Sequence, residues 1–594
     1  MRSLVILVLA GVVSAEDWSG EWLTDLGVLT LKQDGDRIEG EYGPNQSLTG
    51  TVDGAKATVE WRVGRNAGTG AFEMADGAMA FTGAWNHGNG AFGGTWRGWK
   101  RDPKAAKGKP ADFSGVWRSS LGIMVLEQKG DKLTGTYGCE GWSTVEGTVK
   151  GRTCEFTWKR IRWSGPAWIE MTPDGKAFFG RTEEAQFTKW LGQRLEGYER
   201  EVKPSAGKIV KGLSKNGLCY YARAPNKWRS GKKVDAVVLL HGSNWVSEGM
   251  VFVTGNVQDL GDTYMIVGID GQSWNDTSEP DKPRQNYTYA NWMGRSTYKG
   301  YPYTDRESPY LVHETVKELK ELYKLDRVFV GGHSQGGYCV SALAMSYPET
   351  FAGALLMSCG IVIQAEPDAF DDADLRRAQR EMAVAVVHGT ADQAVDFSSG
   401  AYNFDRFRES AFPYAGFFTA DVAHGYDFLP FADAIRWMDA LTTTDAKALL
   451  AYGKKRLEER GWRDVAAVCL RAHALKKSSK AFKDLEAALD AEAGKDLARW
   501  TEAVKENRDA SWIDGFLRWK EQFEFAPAAE PVMKEFAKLR EAHDAEAERL
   551  IGEARKAFRE NDQEGGWANY REVLDKHYCA TRYSVVKRWV ENRR

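Results

Sequence analysis

The sequence predicts a multidomain protein with two N-terminal antiparallel β-modules, a central doubly wound and mostly parallel α/β domain, and a C-terminal all-α helical array. Three observations lead to this prediction: a repeat with an offset of 95 residues near the N-terminus, apolar runs that alternate with helical segments in the middle, and a tail rich in Ala, Glu and Lys. The chain of 594 residues is also too long for a single hydrophobic core.

Residues 1–15 have the pattern of a secretory signal peptide. Arg2 gives a positive start, residues 4–13 are apolar, and residues 13–15 (VSA) supply the small side chains that precede a predicted cleavage after Ala15. The apolar run is too short to cross a bilayer, and no Cys follows it to carry a lipid anchor. We therefore expect an exported protein, secreted or periplasmic, that does not span a membrane.

The next two segments, residues 16–101 and 112–195, repeat one pattern. Residues 18–22 (WSGEW) match residues 113–117 (FSGVW), and similar runs follow at the same spacing. Gly-Asp steps between alternating apolar and polar runs are typical of β-hairpin turns, because Gly tolerates positive φ. Each copy is therefore predicted to be an antiparallel meander of roughly six to eight strands. The opening of each copy resembles lipocalin- or avidin-type barrels.

Two predicted domain boundaries separate these copies from each other and from the central domain. One is the polar, Pro-containing linker at residues 100–109, and the other lies near Pro204. From residue 205 to 442 apolar runs alternate with helical segments, which is typical of parallel strands with crossover helices. Strands are predicted at 234–240, 265–269, 327–330, 353–357, 384–387 and 416–419, and helices at 308–323 and 336–346.

Residues 445–594 form the predicted helical tail. The segment is rich in Ala, Glu, Lys, Arg and Leu, which favour helices, and only short polar turns interrupt it. The paired helices resemble tetratricopeptide-like hairpins, although the segment has no clean period of about 34 residues. We expect a helical array packed on the central domain, and whether it also binds a protein partner is left open.

The motif Gly332-His-Ser-Gln-Gly336 is the strongest chemical signal in the sequence. It follows a predicted strand and precedes a predicted helix. Glycines on both sides let the chain turn sharply, which lifts the Ser334 hydroxyl above the edge of the sheet. Hydrolysis of an ester or amide needs such a nucleophile. The alternative is a chance match in a Gly-rich chain, which the strand–turn–helix context disfavours.

A base and an acid are needed to activate this serine, and both follow it in the chain. Asp392 stands where a predicted strand leaves the sheet, with Asp396 as the alternative acid; either could instead cap the next helix. His424 lies on a loop at the end of an apolar segment, and the other histidines beyond Asp392 all fall in the helical tail: His473, His543 and His577. The order Ser334, Asp392, His424 is typical of one hydrolase fold.

Two backbone N–H groups are also required to stabilise the oxyanion. The first is predicted to come from Gln335, directly after the nucleophile. The second is predicted in the loop after strand 234–240, from Ser243 or Asn244.

These segments together resemble a known family. The matching residues are His241-Gly242, Gly332-His-Ser-Gln-Gly-Gly337, His388-Gly-Thr-Ala-Asp392 and His424-Gly425. Through them, residues of about 205–440 resemble the α/β-hydrolase superfamily and, within it, secreted esterases such as polyhydroxybutyrate depolymerases and feruloyl or acetylxylan esterases. The resemblance implies Ser334 as nucleophile, His424 as base, Asp392 as its orienter, and no metal or organic cofactor. It does not extend to the β-modules or the tail.

An aromatic-rich segment between residues 270 and 305 is the predicted substrate contact. Four of its aromatic residues are the candidates for substrate binding: Trp274, Tyr287, Tyr289 and Trp292. Aromatic side chains commonly line pockets for an aryl acid, a polymer chain or a sugar face. The alternative is a loop that folds on its own aromatic cluster.

Composition narrows the class of protein further. The net charge is −3, so no basic field exists to recruit nucleic acid. Seven cysteines leave at least one free thiol; Cys139 and Cys154 share a module and could form a bridge, and no Cys lies in a motif with a base. The predicted function is an exported carboxylic-ester hydrolase acting on ester substrates, with polymer-linked esters among the candidates. The alternatives are a serine peptidase of the prolyl-oligopeptidase type and a non-catalytic protein that binds glycan or cell wall.

Overall fold

The structure is a computed structural model in which the chain forms two compact units. One consists of the chain up to Gly197 together with Ser273–Asn286, and the other comprises Tyr198–Gln272 and Tyr287–Arg594. The structure describes residues 17–591 except 25–26, 44, 75–79, 89, 91, 120–121, 138–142, 161–162, 183–188, 243–244, 272, 275–286, 289–306, 361–371, 380–381 and 508. The predicted signal peptide lies outside the described residues.

The first barrel is a closed antiparallel sheet of eight strands in sequence order. It closes where its first and last strands pair, with Leu23 opposite Trp99. Inward and outward residues alternate along the strands, so that Gly68, Gly70 and Phe72 are buried while their neighbours are exposed. The strands are Gly20–Thr24, Gly27–Asp34, Arg37–Gly43, Gln46–Asp53, Lys56–Val63, Asn66–Met74, Ala80–His87 and Phe92–Lys100.

The second barrel has the same construction. It closes where its first and last strands pair, with Arg118 opposite Gln193. Its strands are Gly115–Ser119, Gly122–Lys129, Lys132–Tyr137, Ser143–Lys150, Thr153–Arg160, Trp163–Met171, Ala177–Thr182 and Lys189–Arg194. The predicted antiparallel β-structure is confirmed, and the structure adds that both sheets are closed. Closure pairs the edge strands that an open meander would leave exposed. Cys154 is a buried free thiol inside this barrel, and its suggested partner Cys139 lies outside the described residues.

The linker between the barrels is fixed to the second barrel. Asp102 forms an ion pair with Arg152 at 2.6 Å, and the Asp102 backbone N–H donates to the Glu170 carboxyl at 3.2 Å. Ala105 is buried, and its carbonyl accepts the Arg152 backbone N–H at 2.6 Å. The sequence predicted a polar spacer here, whereas these contacts make it part of the packed β-unit.

Glu170 is fully buried beneath this linker. Burial raises the pKa of its carboxyl to about 7, against the attraction of Arg152. The carboxyl in the unfolded chain loses its proton near pH 4.5. The unfolded state therefore binds fewer protons than the folded state between about pH 4.5 and pH 7, so stability falls as the pH rises through this range.

We predict that Glu170→Gln raises the free energy of unfolding relative to wild type at pH 8, by up to about 3 kcal/mol, and much less at pH 5, because the amide stays neutral at both values. Urea unfolding of the full chain, followed by tryptophan fluorescence, measures this at the two pH values. Glu155→Gln, which changes an exposed carboxylate of the same barrel, is the control. Equal effects of Glu170→Gln at pH 5 and pH 8 would contradict the prediction.

The central domain is built on a nine-stranded sheet, and most of its strands are parallel. All six predicted strands are present, with small changes at their ends. In spatial order the strands are Glu199–Arg200, Ile209–Leu213, Cys219–Arg223, Met265–Ile269, Val234–Leu240, Leu325–His333, Gly353–Met357, Ala383–Gly389 and Ala415–Ala420.

Helices connect the parallel strands of this sheet, as right-handed crossovers require. The two predicted helices are confirmed as Glu307–Tyr323 and Gln335–Ser346. Strands Gly353–Met357 and Ala383–Gly389 are buried along their whole length, and Val234–Leu240 is buried from Ala236 onward, which is typical of a sheet covered on both faces. The other helices are Ser247–Phe252, Asp372–Ala378, Phe397–Glu409 and Phe431–Thr442, a π-helical turn spans Val253–Val257, and two short strands lie at Ser273–Trp274 and Tyr287–Thr288.

The tail is helical, as predicted, and it is attached to the edge of the central sheet. Arg463 donates to the carbonyls of Phe412 at 2.8 Å, Glu521 at 2.9 Å and Ala415 at 3.3 Å, and so joins two tail helices to the last strand. The helices are Ala446–Glu458, Trp462–Ala474, Lys480–Glu506, Ile513–Phe523, Glu530–Arg559, Gln563–Lys576 and Tyr583–Glu591. Their lengths run from 9 to 30 residues, and a tetratricopeptide-like organisation stays a prediction. Among the described residues, no helix is long and apolar enough to span a membrane.

Candidate active site

Ser334 occupies a sharp turn between strand Leu325–His333 and helix Gln335–Ser346. Its backbone has φ 53° and ψ −121°, a conformation that a residue with a Cβ rarely adopts. The Ser334 N–H donates to the Met357 carbonyl at 2.9 Å, which ties the turn to the neighbouring strand. The residue is partly exposed and lies at the carboxyl end of the sheet. This geometry is that of a nucleophile elbow.

The glycines of the motif are required by close contacts around this turn. A Cβ on Gly332 would lie 2.2 Å from the Gly336 carbonyl oxygen, and one on Gly336 would lie 2.3 Å from the carbonyl oxygen of Leu240. A Cβ on Gly337 would meet the Cys359 sulfur at 2.6 Å. The helix can approach the sheet this closely only because these side chains are absent, so the motif is not a chance match.

Asp392 follows strand Ala383–Gly389 and is buried. One of its carboxylate oxygens, Oδ1, accepts the backbone N–H groups of Ala394 and Val395, both at 3.0 Å. The other, Oδ2, lies 2.7 Å from His424 Nδ1. Burial raises the pKa of Asp392, but the hydrogen bonds from His424 and the Val395 backbone outweigh it and hold the pKa below its usual value. Asp392 is therefore a fixed carboxylate oriented toward His424.

The alternative acid has a different role in this structure. Asp396 is the N-cap of helix Phe397–Glu409, and its side chain accepts the Ser398 N–H at 2.8 Å. A carboxylate in this position satisfies one of the unpaired N–H groups at the start of a helix. Of the two candidate acids, Asp392 is therefore the one that contacts His424.

His424 lies on the loop after strand Ala415–Ala420, and its side chain is partly exposed. Its ring centroid is 4.6 Å from that of His333, the residue directly before Ser334. The loop is anchored by the buried Tyr426, which stacks on Phe431 at 4.6 Å and whose hydroxyl hydrogen-bonds to Thr254 at 2.5 Å. These contacts place the His424 loop beside the elbow.

Two buried histidines surround the Asp392–His424 pair. His388 donates from Nε2 to the Val395 carbonyl at 2.9 Å, and the same nitrogen lies 3.4 Å from Asp392 Oδ2. Burial lowers the pKa of His388, and it lowers the pKa of His333 to about 3 with help from the nearby His424. Both rings are therefore neutral at ordinary pH, and of the three histidines His424 is the one that is partly exposed.

The loop after strand Val234–Leu240 approaches the elbow from the other side. A Cβ on Gly242 would lie 3.2 Å from the Ser334 Cβ, so this backbone borders the serine. His241 Nε2 accepts the Gly271 N–H at 2.9 Å, which places the proton on Nδ1, where it donates to the Gly242 carbonyl at 2.7 Å. The buried His241 thus fixes the orientation of the peptide that follows Gly242.

Six of the predicted site residues fall wholly or partly outside the part of the chain that the structure describes. Ser243, Asn244, Tyr289 and Trp292 are outside the described residues, as are the side chains of Trp274 and Tyr287. The roles of His241, His388 and Tyr426 were not predicted from the sequence. The first two stand inside the quoted His-Gly and His-Gly-Thr-Ala-Asp motifs, which are the signals that could have identified them, whereas nothing in the sequence distinguishes Tyr426 from a core aromatic.

Comparison with known proteins gives the following similarities. Residues 220–411 match the model of the family described as "Putative esterase". A solved ferulic acid esterase is 17% identical, over 38% of this chain and 94% of that chain, with a TM-score of 0.28. The S-formylglutathione hydrolase from Agrobacterium tumefaciens is 17% identical, over 40% and 96%, with a TM-score of 0.29. Fluorophosphonate-binding serine hydrolase F from Staphylococcus aureus is 15% identical, over 40% and 99%, with a TM-score of 0.29.

The family match includes the elbow with Ser334 and the loop with Asp392, and it ends before His424. It coincides with the parallel sheet and with the strand–turn–helix motif described above. The central domain of this chain is therefore a serine-hydrolase esterase domain of the α/β-hydrolase type.

Proposed function

We propose that the protein is a carboxylic-ester hydrolase that works through an acyl-enzyme, with Ser334 as nucleophile, His424 as base and Asp392 as the residue that orients the base. The observation that carries this proposal is the 2.7 Å contact between Asp392 Oδ2 and His424 Nδ1, next to the strained serine. A carboxylate that accepts from Nδ1 holds the imidazole in the tautomer whose Nε2 can take a proton.

The proposed reaction uses this tautomer in two steps. His424 Nε2 removes the proton of the Ser334 hydroxyl as the oxygen attacks the ester carbonyl, and it then returns the proton to the departing alcohol. Water hydrolyses the acyl-enzyme by the reverse proton transfers. Asp392 remains ionised throughout and stabilises the imidazolium that forms, which its low pKa favours.

The oxyanion of each tetrahedral intermediate requires preorganised donors. We assign one to the backbone N–H of Gln335, at the first position of helix Gln335–Ser346, where the helix dipole also favours negative charge. The other is assigned to the loop of Ser243 and Asn244. The contact of His241 with the Gly242 carbonyl supports this assignment, because it orients the backbone that enters the loop.

Polymer-linked or otherwise bulky esters are the proposed substrates. Phe428, four residues after His424, is 74% exposed, and its ring lies 3.4 Å from the position of a Cβ on Gly425. Phe252, on the helix that follows the oxyanion loop, is 55% exposed. Exposed aromatic rings beside a base loop offer an apolar surface to a substrate that extends beyond the site. Trp274, Tyr287, Tyr289 and Trp292 stay predicted contacts, and export stays a prediction from residues 1–15.

We further propose that the two barrels are copies of one module. Equivalent contacts support this: the Trp22 indole N–H donates to the Trp18 carbonyl at 2.9 Å, and the Trp117 indole N–H donates to the Phe113 carbonyl at 2.8 Å. In each barrel the two aromatic residues of this contact belong to the buried core. A barrel of this kind cannot supply the triad chemistry, so the modules are assigned to binding or support.

A matched pair of variants tests the catalytic assignment. Asp392→Asn is expected to lower kcat for an aryl acetate by about 10⁴-fold, because the amide stabilises the wrong tautomer of His424. Asp396→Asn keeps a side-chain oxygen that can cap helix Phe397–Glu409, and it should leave kcat within about threefold of wild type. The measurement is steady-state hydrolysis at neutral pH, with circular dichroism to verify folding. A similar loss in both variants, or in neither, would reject Asp392 as the orienting residue.

A second pair tests the proposed substrate class. Phe428→Ala should reduce kcat/KM for a bulky or polymeric ester by about tenfold, as expected for the loss of an aromatic contact of about 1.4 kcal/mol, while hydrolysis of a minimal aryl acetate stays unchanged. Phe428→Tyr keeps the ring and should retain activity on both substrates. If Phe428→Ala affects the two esters equally, the exposed ring does not select the substrate.

A further inference from the structure

The first barrel has an open cavity of about 720 Å³ at one of its two ends. The rim of the cavity comes from three hairpin turns, which contribute Gln46, Asn66 and His87. The opposite end is covered by Trp18, which is fully buried and whose indole N–H donates to the Gly54 carbonyl at 3.3 Å. Small-molecule sites in proteins typically have volumes of roughly 300–1,000 Å³. The cavity is therefore a pocket of ordinary size with its mouth at the turns, from which a long ligand can extend into solvent.

Aromatic rings line the cavity, and the barrel itself holds them in place. Trp61 and Trp85 meet edge to face with ring centroids 5.3 Å apart, and Tyr42 and Trp96 meet in the same way at 4.9 Å. The Trp61 indole N–H donates to the Asn86 carbonyl at 3.2 Å. Because these contacts fix the rings before a ligand arrives, binding does not have to order them.

The rim of the cavity combines hydrogen-bond donors with acceptors. Gln46 and Asn66 carry amides and His87 carries an imidazole, and each of these groups can both donate and accept. A Cβ on Gly43 would lie 3.0 Å from the side-chain amide carbon of Gln46, so this glycine leaves room for the amide at the rim. Arg65 adds further donors, and the described part of the lining holds no carboxylate. A hydroxyl group also donates and accepts, so a ligand with several hydroxyls matches this rim.

The second barrel differs from the first at the positions that form the cavity. The pairing registers of the two sheets align three of these positions with other residues in the second barrel: Ser143 for Gln46, Trp163 for Asn66 and Thr182 for Trp85. Inside the second barrel Phe156 stands in place of Val59, and its ring packs on Trp190 with centroids 4.9 Å apart. The amides, the additional tryptophan and the larger interior are therefore specific to the first barrel, as expected if that barrel alone has a ligand.

We propose that the open end of the first barrel binds a neutral glycan, with one or two sugar rings inside the cavity. The apolar C–H faces of a sugar ring pack on Trp61 and Trp85. The sugar hydroxyls exchange hydrogen bonds with Gln46, Asn66 and His87 at the rim. A carboxylate ligand only accepts, so it would leave the acceptor atoms of these side chains without a partner. The proposal goes beyond the esterase function and does not depend on it.

Isothermal titration of the full chain with xylohexaose, cellohexaose and mannohexaose tests this site. We expect saturable binding of at least one of these glycans, at one site per chain. Trp85→Thr introduces the residue of the second barrel and should weaken that binding at least about tenfold, since an aromatic contact is lost. Asn66→Ala should weaken it at least about threefold, through lost hydrogen bonds. Arg62→Gln is the control, because Arg62 is exposed on the outer face of the same barrel, and it should change Kd less than about twofold.

Three results would overturn the proposal. These are no saturable binding of any of the three glycans, an effect of Arg62→Gln equal to those of the two cavity variants, or tighter binding of 4-hydroxybenzoate or trigalacturonate than of the best neutral glycan. Far-UV circular dichroism verifies folding, and Asn66→Ala, which changes an exposed residue, retains the test if Trp85→Thr does not fold. Aryl acetate hydrolysis by both variants should equal that of wild type, so failure of the glycan site and failure of the esterase assignment are measured separately.

Discussion

The hydrogen bond between Asp392 and His424 is the interaction on which the proposed chemistry depends. Neither residue is held by its own segment alone: Asp392 is fixed by backbone N–H groups of the next turn, and the loop of His424 is anchored by Tyr426 in the core. Both positions exist because adjacent parallel strands, Ala383–Gly389 and Ala415–Ala420, end at the same edge of the sheet. The buried sheet therefore determines the geometry of the acid and the base.

The turn that holds Ser334, the proposed nucleophile, imposes the second constraint. Ser334 is held with positive φ, which costs on the order of 1–3 kcal/mol and persists only because the surrounding packing enforces it. The close approach of Gly336 to the end of strand Val234–Leu240 and of Gly337 to Cys359 supplies this packing. The tail also contacts the last strand of the sheet: Arg463 donates to the carbonyls of Phe412 and Ala415 at the beginning of strand Ala415–Ala420, whose other end leads to the His424 loop.

Much of this arrangement was predictable from the sequence, because the strands are continuous apolar runs and the motif glycines have one structural explanation. Closure of the barrels was not predictable, because the sequence pattern of a β-meander is the same whether or not its first and last strands pair. The choice between Asp392 and Asp396 depended on which carboxylate reaches across to His424, a distance that spacing in the chain does not encode. The roles of His241 and His388 depend on contacts of 2.7–2.9 Å with carbonyls and N–H groups of other loops, which only the folded chain shows.

The central claim is that Ser334 is an activated nucleophile, and covalent labelling tests it most directly. The full chain is incubated with a fluorophosphonate probe at neutral pH, and the modified peptide is identified by mass spectrometry. We expect a single phosphonyl adduct on Ser334, lost in Ser334→Ala and strongly slowed in Asp392→Asn, because the hydroxyl then lacks an oriented base. Labelling at another residue, or labelling of Ser334→Ala at the wild-type rate, would contradict the account.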